Sequence, residues 1–469
     1  MRSRVVATCI VLALVAVGCG NASSSKPTST ATTIKGAPPI TEVSGADLHK
    51  KVAITGVPGV TDSSINVAAI TSKTNCLAGC YGAYVDGINA YFNYMNSTGG
   101  IYGRQLKISA DKDDAFLNNE QTVKTTLAEN KPFALFEANA LLASGIVDIS
   151  QVSPPLPTFI WNINPEMAGH TNIFGTIGAI CFNCISQGYP FTAQQHHFTK
   201  VAVLAYGVTD SSKQCATSIQ QSFVKYPSAK VVFFDNQLQF RQADLSADVS
   251  KIKAGGAQLI FTCIDGNESV ILGKELVKQH VNAIQQLPNA YDQKYITDNA
   301  QYLEGALDSP QFQAFEYSPQ LPEAQLFQQW MQKGHYTVTE LSTEGWIAAA
   351  MFVTGLKLAG PNFTQQKLID SLNQVTDFTD NGMIVPINWT YQHNNPRGPG
   401  GTTIPKYSNP YACSSTVQVH DGKFVPLSTP PGLPWICTTG GANAPTLTKT
   451  PVYRTFKPGT PIDTTPDSK

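Results

Sequence analysis

The chain has 469 residues and a formal net charge of −1; 42% of its residues are hydrophobic and only 14% are charged. This length allows two or three domains with well-filled cores. A charge balance so close to zero argues against a nucleic-acid partner, because such binders need surplus Lys and Arg to displace counterions from phosphate. The low charged fraction, with 36 Gly and 30 Pro, is typical of an exported protein.

The first 18 residues read as an export signal. Arg2 and Arg4 precede an apolar stretch, Val5 to Val17, which as a helix reaches about 20 Å and is too short to span a bilayer. The following Gly18-Cys19 step resembles a bacterial lipobox, which implies that Cys19 becomes the lipid-bearing first residue. An ordinary secretory peptide with an incidental Cys is the alternative.

Eight cysteines remain once Cys9 and Cys19 are set aside. An even number in an exported chain predicts four disulfides, although eight cysteines allow 105 pairings. A zinc site is the alternative for the Cys181-Phe-Asn-Cys184 spacing, but no second ligand pair accompanies it. We therefore expect no metal and no cofactor. The eight are Cys76, Cys80, Cys181, Cys184, Cys215, Cys263, Cys413 and Cys437.

Strand-like and helix-like segments alternate along two separate runs of the chain, which predicts an α/β fold with two parallel sheets. In such sheets ligands bind beyond the carboxyl ends of the strands. The loops that follow strands are then 56–75, 137–144, 161–168, 205–212 and 264–269. The predicted strands are 52–55, 105–110, 133–136, 157–161, 200–205, 230–234 and 258–263, and the predicted helices between them are 80–96, 119–129, 211–226, 243–254 and 266–280.

A series of short motifs in the same order resembles one known family. A helix leads to the turn Gly99-Gly100-Ile101-Tyr102-Gly103, then to an alternating strand and the paired Asp113-Asp114. Val231 to Asp235, Glu304-Gly305 and Asp380 to Gly382 follow in order. Over about 50–425 the chain is similar to type I periplasmic (solute) binding proteins, in particular the Leu/Ile/Val-binding-protein-like lipoproteins of branched-chain amino acid ABC transporters.

The resemblance implies two Rossmann-like lobes with parallel sheets, joined by three crossovers. Lobe one is then 50–168 plus 288–385, and lobe two is 169–287 plus 386–437. A flexible tether over 19–49 precedes them, and a Pro/Thr-rich C-terminal tail over 438–469 follows. Such proteins close on a small-molecule ligand and deliver it to an ABC permease, so the implied location is the outer face of the cytoplasmic membrane.

Several loops supply candidate ligand-binding residues. Thr61 to Ser64 could instead cap a helix, Trp161 could simply pack in the core, and Glu268 could simply complement a helix dipole. The resemblance implies an acidic acceptor for a cationic or hydroxyl group at Asp265 or Glu268. The candidates are Thr61, Ser63, Ser64, Asn139, Ala140, Leu141, Trp161, Asn162 and Asn164 in lobe one, and Tyr206, Asp265 and Glu268 in lobe two.

Amides and a bulky indole stand where amino acid binders of this family generally place hydroxyls. Amides, amino acid derivatives and small carboxylates are therefore as reasonable ligands as Leu, Ile or Val.

The predicted disulfides are Cys215–Cys263, whose cysteines fall near neighbouring strand ends, Cys413–Cys437, and the short links Cys76–Cys80 and Cys181–Cys184. A ligand sensor signalling to a membrane receptor is the first alternative. A secreted enzyme is the second, but the chain carries no GxSxG or HExxH motif.

Overall fold

The computed structural model describes residues 47–77, 79–138, 144–161, 169–178, 184–393, 412–439 and 445–457. Within these ranges the chain forms a five-stranded, a seven-stranded and a three-stranded sheet. No helix in the same ranges is long and apolar enough to cross a membrane. Cys19 and the predicted signal lie outside the described residues.

The first sheet has the strand order β2-β1-β3-β4-β5, and all its strands are parallel. The interior strand β1 is buried along almost its whole length, as expected for a parallel strand with helices on both faces. Its elements are β1 (Ser64–Thr71), α1 (Ala83–Ser97), β2 (Gln105–Asp113), α2 (Asn119–Asn130), β3 (Leu135–Ala138), α3 (Ile146–Gln151), β4 (Thr158–Ile160) and β5 (Ile173–Gly175).

The second sheet has the order β13-β12-β10-β9-β8-β6-β7. Its strands from β6 to β10 run parallel, and an antiparallel hairpin of β12 and β13 extends it beyond β10. Its elements are α4 (Gly188–Gln195), β6 (Lys200–Tyr206), α5 (Asp210–Lys225), β7 (Lys230–Leu238), α6 (Ser246–Gly255), β8 (Leu259–Cys263), α7 (Gly266–Lys278), β9 (Ile284–Leu287), α8 (Gln293–Asp298), α9 (Ala300–Leu303), β10 (Leu307–Asp308), β12 (Val417–His420) and β13 (Lys423–Pro426).

The chain returns to the first lobe through α10 (Pro322–Gly334), α11 (Glu340–Ala359) and α12 (Gln365–Leu372). Almost the whole of α11 is buried, and it crosses α1 at very short range. A Cβ on Gly345 would overlap the carbonyl oxygen of Tyr84, and one on Gly87 would overlap that of Ser342. The two glycines therefore permit the closest helix contact in the first lobe.

A three-stranded antiparallel sheet is formed by β11 (Ala412–Ser414), β14 (Trp435–Thr438) and β15 (Val452–Arg454). It is held to the start of α4 by Gln187, whose Nε2 donates to the Thr439 carbonyl at 2.9 Å and whose Oε1 accepts from Thr448 N–H at 3.0 Å. Part of the predicted C-terminal tail is therefore an ordered strand, because its Val and Tyr pair with Ile436 and Cys437.

The predicted disulfides within the described residues are confirmed. Cys76 is bonded to Cys80, Cys215 to Cys263, and Cys413 to Cys437. Cys184 is also disulfide-bonded, while Cys181 lies outside the described residues.

The predicted lobe boundaries differ from the strand pairing in two places. β5 pairs with β4 in the first sheet, although its residues were assigned to lobe two. β10 pairs with β9 and β12 in the second sheet, although its residues were assigned to lobe one. Both strands have only two or three residues, so the hydrophobic pattern alone did not reveal them.

Candidate functional site

The cleft between the two sheets is bounded by loops that follow their strands. Phe116, just after β2, packs edge to face on Phe240, just after β7, with ring centroids 5.7 Å apart. Arg241 Nη2 donates to the Cys76 carbonyl oxygen at 3.4 Å, again from one lobe to the other. The lobes are therefore in contact across the cleft in this structure.

On the lobe-two side, two neighbouring strands end in residues that bond to each other. The Tyr206 hydroxyl, at the end of β6, donates to Asp265 Oδ2 at 2.7 Å. Asp265 Oδ1 accepts from the backbone N–H groups of Asn267 and Glu268 at 2.7 and 3.4 Å and so caps α7. Burial, and then the nearby Asp265 charge, raise the pKa of Tyr206 above its ordinary range, so its hydroxyl remains a donor. Both carboxylate oxygens of Asp265 are already engaged.

Glu268 lies in the first turn of α7 and is only 1% exposed. Neither of its carboxylate oxygens accepts a hydrogen bond of ordinary geometry within the described part of the chain. Burial, and then the neighbouring Asp265 carboxyl, raise the pKa of Glu268 to about 7. The Tyr206 hydroxyl and the Arg241 backbone N–H are near this carboxylate but do not form close hydrogen bonds with it. A buried acceptor without a close donor is costly, so a ligand that donates to Glu268 would remove that cost.

On the lobe-one side, an aromatic pair is buried near the ends of the strands. Trp161, directly after β4, is fully buried and packs against Tyr81 with ring centroids 5.4 Å apart. The indole Nε1 of Trp161 finds no acceptor among the described residues. Burial, followed by the charges of Asp265 and Asp114, raises the pKa of Tyr81, which sets this tyrosine beside acidic groups of both lobes. Trp161 is thus a core residue of lobe one, and its role in ligand binding stays a prediction.

Asp113 and Asp114 organise the loop that follows β1. Asp114 Oδ1 accepts from the Ser72 hydroxyl at 2.8 Å and from Phe116 N–H at 2.9 Å. Asp113 accepts from the backbone and hydroxyl of Thr74 and from Lys73 N–H. These carboxylates fix the loop after β1, which contains the Cys76–Cys80 bridge and faces the opposite lobe.

Three predicted lobe-one residues lie at the wrong end of the sheet. β1 begins at Ser64, so Thr61 and Ser63 lie in the turn before it and Ser64 is its first residue; Thr61 Oγ1 accepts from Ser64 N–H at 2.9 Å. The first strand is 64–71 rather than 52–55, because only the later run is buried nearly throughout. This correction removes the three hydroxyls from the cleft. Asn139, Ala140, Leu141, Asn162 and Asn164 lie outside the described residues.

Four cleft residues were missed from the sequence: Tyr81, Phe116, Phe240 and Arg241. Each stands in a loop or first turn beyond a strand, which is a recognisable signal. Their approach depends on how the two lobes face each other, and no local pattern encodes that arrangement.

The interior of the cleft is acidic and aromatic. Its described cations lie at the edge: Arg241 is exposed, and Lys73 Nζ pairs with Asp111 Oδ1 at 2.5 Å. The one group in the described chain with three close metal-ligating side chains is elsewhere and exposed: Glu304, directly after α9, lies beside His420 and Asp421 at the β12–β13 turn. The cleft therefore suits a ligand that carries a hydrogen-bond donor or a positive charge.

Comparison with known proteins identifies the family. The model of the periplasmic binding protein family matches residues 64–404, which is most of the chain. This chain belongs to the periplasmic binding protein family. No curated protein matches it in sequence.

Solved structures of several binding proteins share the fold. A fatty acid ABC transporter substrate-binding protein from Thermomonospora curvata aligns with a TM-score of 0.62 and 16% identity, over 80% of this chain and 95% of that one. A leucine-binding protein from Thermotoga maritima aligns with a TM-score of 0.60 and 15% identity, over 78% of this chain and 99% of that one. A solute-binding protein of R. palustris, solved in complex with benzoate, aligns with a TM-score of 0.59 and 14% identity, over 78% of this chain and 96% of that one. The type I periplasmic binding protein fold predicted from the sequence is confirmed.

Proposed function

We propose that this periplasmic binding protein is an exported lipoprotein that captures a small polar ligand between its lobes and delivers it to an ABC permease. The family match supports a ligand-binding role. The similar structures include proteins named for fatty acid and leucine binding, so the fold alone leaves the ligand open. The ligand class has to be argued from the cleft of this chain.

The proposal is supported by a buried acceptor and a buried donor that find no close hydrogen-bond partner among the described residues. Glu268 offers carboxylate oxygens from lobe two, and Trp161 offers an indole N–H from lobe one. A ligand with an ammonium or hydroxyl group would donate to Glu268, and its carbonyl or carboxylate oxygen would accept from Trp161. An amino acid, an amide or a related molecule has both kinds of group.

Closure follows from these two contacts. A ligand held by Glu268 and Trp161 touches both lobes at once, so it stabilises the closed form relative to an open one. The permease would then recognise the closed form at the membrane. The Phe116–Phe240 contact adds apolar area to the same closed arrangement.

Membrane attachment through Cys19 is part of the same proposal, on the strength of the lipobox-like Gly18-Cys19 step. Expression in a bacterial host with radiolabelled palmitate is the test. Label in the wild-type chain and its absence in Cys19→Ser support attachment, and equal label in both contradicts it.

Binding is tested with a thermal-shift screen over amino acids, amides, amines and short-chain acids, since a ligand stabilises in proportion to its concentration over its Kd. Each hit is then titrated calorimetrically into wild type, Glu268→Gln and Asp265→Asn. We expect Glu268→Gln to weaken binding by about 10-fold or more, as for loss of a charged hydrogen bond. Glu304→Gln, on an exposed turn of the same lobe, is the control. Unchanged affinity in both cleft variants would overturn the assignment.

A further inference from the structure

A second cavity lies on the α4–α5 face of the lobe-two sheet, near the carboxyl ends of β8 and β9. Its volume is about 350 Å³, which is at the lower end of the range for small-molecule sites. One wall consists of α4, α5 and β8 and includes Tyr189, Ile219 and Phe261. The opposite wall is the three-stranded sheet, through Ser414 and Ile436.

The second wall lies beyond the residues that match the family model. The family match ends at residue 404, while the cavity is lined by Cys413, Ser414, Ile436 and Thr438. The Cys413–Cys437 and Cys215–Cys263 bridges stabilise opposite walls. The added sheet thus covers a hollow beside lobe two that the family region alone does not enclose.

Two acceptor side chains line this cavity, and their hydrogen-bonding capacity is not fully used within the described part of the chain. Gln311 Oε1 is a buried oxygen without a partner. Glu340, 3% exposed, accepts from Tyr291 N–H through Oε2 alone, at 3.3 Å. The described lining contains no Lys or Arg. The rest of the lining combines aromatic and aliphatic side chains, such as Phe191 and Leu287, with a similar number of Ser, Thr, Asn and Gln side chains.

We propose that this cavity is a second binding site, for a small, partly apolar molecule that carries an amine or hydroxyl donor. The donor would pair with Gln311 Oε1 and the Glu340 carboxylate, and the apolar part would lie against Tyr189, Ile219 and Phe261. An anion is disfavoured because it would meet a carboxylate and no positive charge. The proposal does not depend on what the cleft binds.

The test uses benzylamine as the probe and phenylacetate as an anion of similar size, each titrated at pH 8 by calorimetry. The background variant is Glu268→Gln, which weakens amine binding in the cleft. We expect saturable binding of benzylamine and none of phenylacetate. Adding Gln311→Leu, which keeps the side-chain volume and removes the acceptor, is expected to weaken benzylamine binding at least about fivefold.

A second variant, Ser414→Phe, fills the cavity from the added sheet and is expected to have the same effect. Circular dichroism melting establishes that each variant is folded, and the two variants act independently. No saturable benzylamine binding in the background variant, or binding unchanged by both substitutions, would overturn the proposal. A crystal structure in which the chain's own side chains fill the cavity would overturn it as well.

Discussion

The Tyr206 hydroxyl donates to Asp265 Oδ2 at 2.7 Å and so joins the ends of neighbouring strands β6 and β8 at the floor of the cleft. Asp265 also caps α7, whose first turn carries Glu268. The Tyr206 hydroxyl therefore links the lobe-two sheet to the start of α7, which carries the Glu268 carboxylate. The orientation of Glu268 depends on this linkage.

Tyr206→Phe removes the donor from Asp265 and is expected to lower the free energy of unfolding by about 1 to 2 kcal/mol. It should also weaken ligand binding, because the start of α7 loses a support. Tyr102→Phe is the control, since the Tyr102 hydroxyl donates to the Lys357 carbonyl in the first lobe at 3.0 Å. Urea unfolding and calorimetry measure both quantities. An equal loss of affinity in both variants would contradict a specific role for Tyr206.

Binding of a cationic ligand should depend on the ionisation of Glu268. Burial raises the pKa of this carboxyl to about 7, so the negative form becomes dominant only as the pH rises through that value. Affinity for an amine-bearing ligand is therefore expected to increase between pH 6 and 8 in wild type. In Glu268→Gln the increase should be absent. Calorimetry across this range measures it, and a parallel increase in both proteins would exclude Glu268 as its source.

Stability should fall with rising pH because of a buried glutamate in α11. Burial, and then the charge of Glu340, raise the pKa of Glu344 to about 8, well above the value of about 4.3 in an unfolded chain. Between these values the folded chain holds a proton that the unfolded chain has released, so the free energy of unfolding decreases as the pH rises from 5 to 8.

Glu344→Gln removes the titration of this carboxyl. The decrease in the free energy of unfolding between pH 5 and 8 is therefore expected to be smaller by about 2 to 4 kcal/mol in this variant. Glu129→Gln, at an exposed position near the end of α2, should leave it unchanged. Urea unfolding at pH 5, 6, 7 and 8 provides the comparison. If stability falls equally in wild type and Glu344→Gln, Glu344 is not the group responsible.

The disulfides should differ in their contribution to stability because they close loops of different length. Cys215–Cys263 spans 48 residues and Cys76–Cys80 spans 4. Loop-closure entropy predicts a loss of about 4 kcal/mol when the first is replaced by two serines and about 2 kcal/mol for the second. Thermal unfolding of the two double variants, each compared with wild type, measures the difference. A larger effect from the short loop would contradict this order.

The α1–α11 crossing should not tolerate a side chain at its closest point. Gly345→Ala is expected to destabilise the first lobe by about 2 kcal/mol or more, because its Cβ would overlap the Tyr84 carbonyl oxygen. Gly82→Ala, whose Cβ would meet only the Lys73 side chain at 3.5 Å, is the matched control. Urea unfolding separates the two, and equal stability of both variants would refute the packing argument.

The fold was predictable because its alternation of apolar strands and amphipathic helices is local. The first strand was the exception: Val52 to Thr55 and Val67 to Thr71 have nearly the same sequence, and only tertiary packing buries the second. Tyr206 and the Asp265 cap were predictable because each stands at the end of a strand. Phe240 and Arg241 were not, since their meeting with Phe116 and Cys76 depends on the arrangement of two lobes.

The central claim is that the two lobes close on a ligand held at Glu268, and small-angle X-ray scattering tests it most directly. The radius of gyration is measured without ligand and with a saturating amount of a compound found by thermal shift. We expect a smaller radius of gyration with ligand in wild type and no change in Glu268→Gln at the same ligand concentration. A radius that stays constant in saturated wild type would contradict closure.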